Sequence, residues 1–390
     1  MRSRFIVAPV ASLLVAVSCF DQRPSPEAPT SPSFAKGGGG PKVRSISISP
    51  STASITPGQT IQLTATASPT SATTSFTWAS SNQAVATVSS SGLVSGVAQG
   101  TASITASSGG VTGSSTITVS SVSADPVLVG AGDIASCSSS GDEATATLLD
   151  GIAGTVVTLG DNAYDNGTST EYTNCYDPSW GRHKARTRPS AGNHEYNTAN
   201  ATGYYGYFGG AAGDPTKGYY SYDLGNWHIV VLNSNLSCAV ISCAAGSPQE
   251  QWLRADLAAS TKPCTLAYWH HPRFNSGASH GNDLDVAPFW DALYDLNADV
   301  ILNGHEHVYE RFAPQTPSAV ADPVRGIRQF TVGTGGRSHY TFGTIQPNSE
   351  VRNGDTYGVL KLTLHSNSYD WQFVPVAGFS FTDSGTGNCH

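Results

Sequence analysis

Val300-Ile301-Leu302-Asn303-Gly304-His305-Glu306-His307-Val308-Tyr309-Glu310-Arg311 is the stretch on which the fold assignment turns. Val300-Ile301-Leu302 is a short apolar run of the kind that forms a buried strand, and Gly304 ends it. Two histidines follow with one residue between them. Side chains at i and i+2 of an extended segment point to the same side. His305 and His307 are therefore expected to reach two metal ions from one edge of a sheet, imidazole being the commonest metal-ligating side chain. Taken alone, the pair reads equally well as two histidines on a surface loop.

Outward from that stretch, the chain from Pro126 onward alternates strand and helix. Val127-Leu128-Val129 predicts a strand ending at Gly132-Asp133. Glu143 to Ile152 has helical spacing, and Val156-Val157-Thr158-Leu159 predicts a strand ending at Gly160-Asp161. Residues 165–187 look irregular, after which a short run reaches Gly192-Asn193-His194-Glu195. Tyr219 to Asn235 reads as two strands around Leu224-Gly225-Asn226. Pro248 to Ala258 and Val286 to Leu296 read as helices, and Thr265 to Trp269 as a strand ending at His270-His271-Pro272. The tail from Gly326 to Pro375 is mostly strands.

Asp133, Asp161, Asn193, His270 and the pair His305/His307 each fall just past the C-terminal end of a predicted strand. Ligand sites of α/β sheets gather at that edge. Any one of the Asp or Asn residues is also a routine turn-former or helix cap; it is the repetition in register that points to a site. With Tyr164 the set holds two carboxylates, an amide, three histidines and a phenol, an inventory for two metal ions of the kind that serves phosphoryl transfer. Asp161, central in the motif order, is the expected bridging carboxylate. A free phenol has a pKa of about 10, so Tyr164 becomes a ligand at neutral pH only beside a strongly Lewis-acidic ion such as Fe(III). The alternative is a tyrosine packed in its loop.

Gly132-Asp133, Gly160-Asp161-Asn162-Ala163-Tyr164, Gly192-Asn193-His194-Glu195, Trp269-His270-His271-Pro272 and Gly304-His305-Glu306-His307 resemble, in order, the five motifs of the metallophosphoesterases (the calcineurin-like superfamily). Tyr164 and Val308-Tyr309-Glu310-Arg311 resemble the purple acid phosphatase branch, and the likeness spans about residues 126–376. Ala135 stands where that branch usually has Gly, and Tyr268 and His271 depart from its commonest fourth motif; none of the three is a ligand position. The resemblance implies a four-layer α/β/β/α sandwich over 126–390. It implies Fe(III) held by Asp133, Tyr164 and His307, and a second ion, Fe(II), Zn(II) or Mn(II), held by Asn193, His270 and His305, with Asp161 between them. His194 is expected to face the substrate, binding phosphate or protonating the leaving oxygen. His280 is a candidate for the same acid or substrate-binding work. His271 and His339 read as supporting or surface residues. The implied reaction is in-line attack by a metal-activated hydroxide on a small phosphate monoester, with no covalent enzyme intermediate. A phosphodiesterase or nucleotidase of the same superfamily, and a surface adhesin with an inert metal domain, are the competing readings.

Residues 43–121 have another character: Ser45-Ile46-Ser47-Ile48-Ser49, Ile61 to Ala67 and Thr116 to Val119 alternate between Pro and Gly turns, which predicts an antiparallel sandwich with Trp78 as a core plug. Pro57-Gly58-Gln59-Thr60, Trp78-Ala79-Ser80-Ser81, Val85-Ala86-Thr87-Val88, Gly92-Leu93-Val94 and Gly100-Thr101-Ala102 resemble the bacterial Ig-like (type 2) domain, which implies a spacer or a cell-surface contact. Residues 1–19 read as an export signal: Arg2 and Arg4 precede an apolar core, Phe5 to Val17, too short for a spanning helix of about 20 residues. Small residues before Cys19 resemble a lipoprotein cleavage site, which would anchor the chain to a membrane through Cys19; ordinary cleavage nearby is the alternative. Residues 20–42 read as a flexible linker. Of seven cysteines, six remain beyond Cys19, and in an exported chain an even set implies disulfides, Cys238 with Cys243 being the easiest local bridge. The net charge of −8 over 390 residues argues against nucleic acid as the main partner.

Overall fold

The computed structural model describes residues 41–72, 75–120 and 125–390. The expected export signal, Cys19 and all but the end of the linker lie outside the described residues. The chain divides into two compact units, residues 1–122 and 123–390. No helix among the described residues is long and apolar enough to cross a membrane.

The first unit is all β. A four-stranded sheet orders Thr52–Ile55, Val111–Val119, Gly100–Ser108 and Thr77–Ser80. A three-stranded sheet and a two-stranded pair complete the sandwich. Ile46, Ile48, Leu63, Val94, Ile104 and Ile117 form its core, and the alternation in Ser45–Ser49 puts both isoleucines inward. Two expectations are corrected. Thr52–Ile55 pairs parallel with Val111–Val119, so the sandwich is not wholly antiparallel. Trp78 is half-buried against the rim of the cluster, where a Cβ on Gly92 would meet its ring at 2.7 Å, and it is not a central plug.

The second unit is a layered α/β/β/α sandwich. The first sheet contains β1 (Val127–Ala131), β2 (Thr155–Leu159), β3 (Thr187–Ser190), β11 (Gly358–Leu364), β12 (Ser368–Pro375) and β13 (Ser384–Asn388), in the order β3-β2-β1-β11-β12-β13. The second contains β4 (Tyr220–Leu224), β5 (Trp227–Val231), β6 (Cys264–Tyr268), β7 (Val300–Asn303), β8 (Tyr309–Phe312), β9 (Arg328–Val332) and β10 (Ser349–Asn353), in the order β4-β5-β6-β7-β9-β8-β10. The site-bearing strands run parallel within each sheet, β1 with β2 and β2 with β3 in one, β6 with β7 in the other.

The two-residue period of a strand sorts side chains between two cores. Ile229, Val231, Leu266, Tyr268, Val300 and Leu302 face inward to join Leu128, Val156, Leu362 and Phe373 of the other sheet. Val230, Leu232, Ala267, Trp269 and Ile301 face outward, onto α2 (Pro248–Ala259) and α3 (Ala287–Asp295). Helix α2 starts where Ser247 accepts the Glu250 N–H at 3.2 Å with Pro248 next in line, the arrangement that satisfies a free amide at a helix start. Helix α1 (Gly141–Gly151) and the helical turns that follow cover the first sheet, with Ala146, Leu149 and Trp180 buried.

Residues 165–187 are less irregular than the sequence implies: Tyr172–Tyr176 and Trp180–Arg186 are short helical turns. Burial of Tyr172, Tyr176 and Trp180 and the Cys137–Cys175 disulfide hold them, so no apolar period marks them. The other cysteines among the described residues pair as Cys238–Cys243 and Cys264–Cys389.

Candidate metal centre

Every strand that the sequence marked delivers its residue. Asp133 follows β1, Asp161 follows β2, Asn193 follows β3, His270 follows β6, and His305 and His307 follow β7. The first three leave one sheet and the others the second. Asp133 and Asp161 stand in left-handed backbone, φ 60° and 50°, a conformation that aspartate tolerates better than most residues. Both are turn-formers at the ends of their strands. The turns are tight: a Cβ on Gly192 would lie 2.2 Å from Asp161 Oδ1, and one on Gly304 would lie 2.8 Å from Asp133 Oδ2.

His305 and His307 do not reach the site as neighbours on an extended strand. His305 has φ 71°, and the Glu306 N–H donates back to the Gly304 carbonyl at 2.9 Å; the Val308 N–H donates to the Glu306 carbonyl at 2.7 Å. These are consecutive three-residue turns. They aim the two rings at different places: His305 Nδ1 lies 3.2 Å from His270 Nε2, whereas His307 Nε2 lies 3.3 Å from Asp133 Oδ1.

Two donor groups result. In one, Tyr164 Oη lies 2.8 Å from Asp133 Oδ1 and 3.2 Å from His307 Nε2. In the other, His270 Nε2 and His305 Nδ1 face each other. Asp161 Oδ2 touches both groups, 3.2 Å from Tyr164 Oη and 3.1 Å from His270 Nε2. His270 Nδ1 donates to the Leu159 carbonyl at 2.7 Å, and His307 Nδ1 is tied to Ser338 Oγ at 2.7 Å. A carbonyl only accepts, so in the neutral His270 ring that bond leaves Nε2 as the lone-pair nitrogen turned to the site. Asn193 Oδ1 is buried with no hydrogen-bond partner.

The electrostatics fit cations. Burial works to raise Asp161, but the adjoining His270 imidazole overrides it and holds the carboxyl well below the usual carboxylate range. Burial works to lower His270, and Asp161 carries it up to about 9. Burial, reinforced by the neighbouring His271, His270, His280 and His307, pushes His305 well below the usual imidazole range. Burial and then the Asp133 and Asp161 carboxylates drive the Tyr164 phenol well above its usual value. The protein's own groups thus keep that oxygen protonated, and a strongly charged ion held beside it would reverse the balance. A partnerless buried amide oxygen, two opposed imidazole nitrogens and a shared carboxylate oxygen are donors that a pair of ions would satisfy.

His194 joins the site. Its N–H donates to Asp161 Oδ1 at 2.9 Å, its Nδ1 lies 2.6 Å from the Asp165 carbonyl, and its ring packs on Tyr164 at 4.4 Å, with Nε2 3.8 Å from Asp161 Oδ2. His280 stacks on His305 at 3.9 Å. His271, placed among supporting or surface residues by the sequence, is buried, with Nδ1 2.7 Å from Ser234 Oγ and its ring 4.3 Å from His305. His339 packs against Tyr357 at 4.0 Å.

Three supports were not read from the sequence. The buried Glu195 carboxylate accepts the backbone N–H groups of Asp161 (3.0 Å), Asn162 (2.8 Å), Ala163 (3.4 Å) and Gly192 (2.7 Å), and the Tyr172 hydroxyl (3.0 Å), lashing two site turns together. The loop after β9 supplies Ser338 to His307, Tyr340 stacked on His307 at 4.1 Å, and Arg337 over the Tyr164 ring at 5.1 Å and paired with Asp165 at 2.9 Å. Glu306 turns away from its flanking histidines onto the loop carrying His280. A strand running into Gly333-Thr334-Gly335-Gly336 was the available signal for the second of these.

Residues 42–119 match the bacterial Ig-like domain (group 2) family, and residues 128–309 match the calcineurin-like phosphoesterase family. Purple acid phosphatase 22 of Arabidopsis thaliana is 36% identical over 124 residues, 30% of this chain and 27% of that protein. Purple acid phosphatase 15 of the same plant is 32% identical over 105 residues, 26% of this chain and 19% of that protein. The chain thus aligns with well under half the length of these curated relatives. A purple acid phosphatase structure from yellow lupin (Lupinus luteus) seeds superposes with a TM-score of 0.55 at 17% identity, covering 84% of this chain and 68% of that one, a likeness of fold.

Proposed function

From a chain whose residues 128–309 form a calcineurin-like phosphoesterase domain similar to the purple acid phosphatases, we propose an exported phosphatase that hydrolyses small phosphate monoesters at a two-metal centre. The observation that carries the reading is the single Asp161 oxygen in reach of both donor groups. It is the arrangement that lets one carboxylate hold two mutually repelling cations. Asp133, Tyr164 and His307 would hold Fe(III). Asn193, His270 and His305 would hold a divalent ion, Fe(II), Zn(II) or Mn(II), the phenolate suiting the more Lewis-acidic partner. When bound, the ions supply Lewis acidity: they neutralise phosphoryl charge and make water a nucleophile near neutral pH.

The chain's own residues do the rest. A water oxygen bonds to phosphorus as the ester P–O bond breaks, and the departing oxygen takes a proton. His194, with Nδ1 bound to the Asp165 carbonyl and Nε2 toward Asp161, binds a phosphoryl oxygen or supplies that proton. His280, stacked on His305, is the second candidate. General acids of this kind are worth about 10²–10⁴ in rate. Export is supported by three disulfides and the Ig-like domain, since disulfides persist in oxidising compartments. A lipid on Cys19 and a cell-surface contact through the Ig-like domain belong to the same proposal.

The test is metal content and visible spectrum of unchelated protein, with hydrolysis of p-nitrophenyl phosphate and bis(p-nitrophenyl) phosphate. Two ions per chain, a phenolate–iron band and preference for the monoester are expected. Preference for the diester makes the chain a phosphodiesterase. Metal-free protein without activity leaves the inert surface domain. Asp161→Asn should lose the ion pair and at least about a hundredfold in activity, more than residues merely supporting a ligand typically cost.

A further inference from the structure

A cavity of 480 Å³ adjoins the turn that carries Asn193 and His194, and none of the residues lining it is charged. Tyr196, Tyr205, Pro215, Val240 and Ile241 wall it, with hydroxyl and amide groups between them. That volume and that lining are those of sites for small organic molecules. Tyr196 ties the cavity to the metal centre. Its N–H donates to the Asn193 carbonyl at 3.1 Å, closing a turn whose ends lie within about 7 Å. Its hydroxyl accepts the Asn233 side-chain amide at 2.6 Å. The next residue, Ser234, places Oγ 2.7 Å from Nδ1 of His271, the ring that packs on His305.

Another part of the wall is a braced loop. The Cys238–Cys243 disulfide closes it, and the buried Asn235 side chain grips it from within. Asn235 Oδ1 accepts the Val240 N–H at 2.8 Å, and Nδ2 donates to the Ile241 carbonyl at 2.9 Å. Val240 is nonetheless 48% exposed. An apolar side chain that a rigid loop holds at a cavity, instead of folding it inward, is preorganised to cover an apolar guest.

We propose that this cavity receives the alcohol part of the substrate ester and selects an uncharged aromatic group there; the assignment rests on the phosphatase reading above. The anionic phosphoryl end belongs with the cations. A second charged group entering the cavity would lose its water and find no partner of opposite charge. A flat ring needs none, and it gains by contact with the tyrosine rings and the β-branched side chains. Aryl phosphates are the class that fits. Esters whose alcohol carries further phosphate or ammonium groups are disfavoured.

The experiment compares full-length, zinc-loaded wild type with Val240→Asp, which puts a carboxylate in the lining, and Val240→Trp, which fills the space. Val240 lies outside both buried cores and the metal centre, so both variants should fold, and thermal melts check that they do. The probe is 2-naphthol, neutral near pH 7 and followed by saturation-transfer NMR, which needs no turnover. Wild type should bind it, and inorganic phosphate should not displace it. Either substitution should weaken that binding by at least about tenfold. With 2-naphthyl phosphate, KM should rise by at least about tenfold in both variants. Hydrolysis of ethyl phosphate, too short to fill the cavity, should be unchanged, as should zinc content. No binding by wild type, displacement by phosphate, binding indifferent to both substitutions, or equal losses on both esters overturns the proposal. Naphthol binding that responds as expected, in a chain that hydrolyses neither ester, overturns the phosphatase reading instead and leaves the cavity a site for an aromatic alcohol.

Discussion

The phenol oxygen of Tyr164 donates to Asp133 Oδ1 across 2.8 Å, joining the turns after β1 and β2. In the iron-loaded protein this oxygen is expected to be a phenolate. Tyr164→Phe should keep the fold, since the ring remains packed on His194, but it should abolish visible absorption and weaken iron binding. Absorption spectra and metal analysis of the variant check this. A variant that keeps its colour contradicts the assignment.

Glu195 gathers five donors from three segments in a fully buried spot. Glu195→Ala strands them. Unsatisfied buried donors cost about 1–3 kcal/mol each, so a total loss of about 3 kcal/mol or more is expected. That lowers Tm by roughly 5–10 °C in a domain of this size. Metal affinity should fall about 10–100-fold, as for other residues that orient ligands. Calorimetry and metal titration test the two effects separately.

His228 lies between two carboxylates, Nδ1 3.1 Å from Asp223 and Nε2 2.9 Å from Asp256. Burial pulls its pKa down, but the two carboxylates more than offset this and raise it above the usual imidazole value. A neutral ring can donate to only one of them; the imidazolium satisfies both. The folded state therefore binds this proton more tightly than the unfolded state. The stabilisation is complete below the unfolded pKa of about 6.5 and is lost as pH rises through the raised folded value. The Tm difference between wild type and His228→Ala should be larger at pH 5.5 than at pH 9, and an equal difference at both would refute the linkage.

The disulfides should contribute unequally. Cys264–Cys389 spans 125 residues and Cys238–Cys243 spans five. Loop-closure entropy assigns about 5 kcal/mol to the first and about 2 kcal/mol to the second. Denaturant midpoints of Cys389→Ser and Cys243→Ser, each with its partner also replaced by Ser, should rank accordingly.

The register of Asp133, Asp161, Asn193, His270 and His305 was legible because each site residue follows a short apolar run closed by a turn, a pattern local enough to survive without coordinates. The ends of β2, β6 and β7 agree with expectation to within about a residue. What escaped depends on distance in the chain. Glu195 is an ordinary charged residue until Gly192 and Asp161 fold round it. Ser338, Arg337 and Tyr340 matter only because β9 runs parallel beside β7. The extended reading of His305 and His307 failed for a local reason: backbone at φ 71° folds the segment on itself. Trp78 was misplaced because a large apolar ring serves a sandwich rim as well as its centre.

Because the candidate ligands come from two sheets that share no hydrogen-bonded ladder, ions seated there would act as a rivet through the inner layers. Sliding one sheet past the other by a single residue would dismember the cluster, and an intact cluster resists that sliding. Removing the ions with a chelator should therefore soften the whole sandwich, loosening amide protons in strands far from the rim and lowering its resistance to heat.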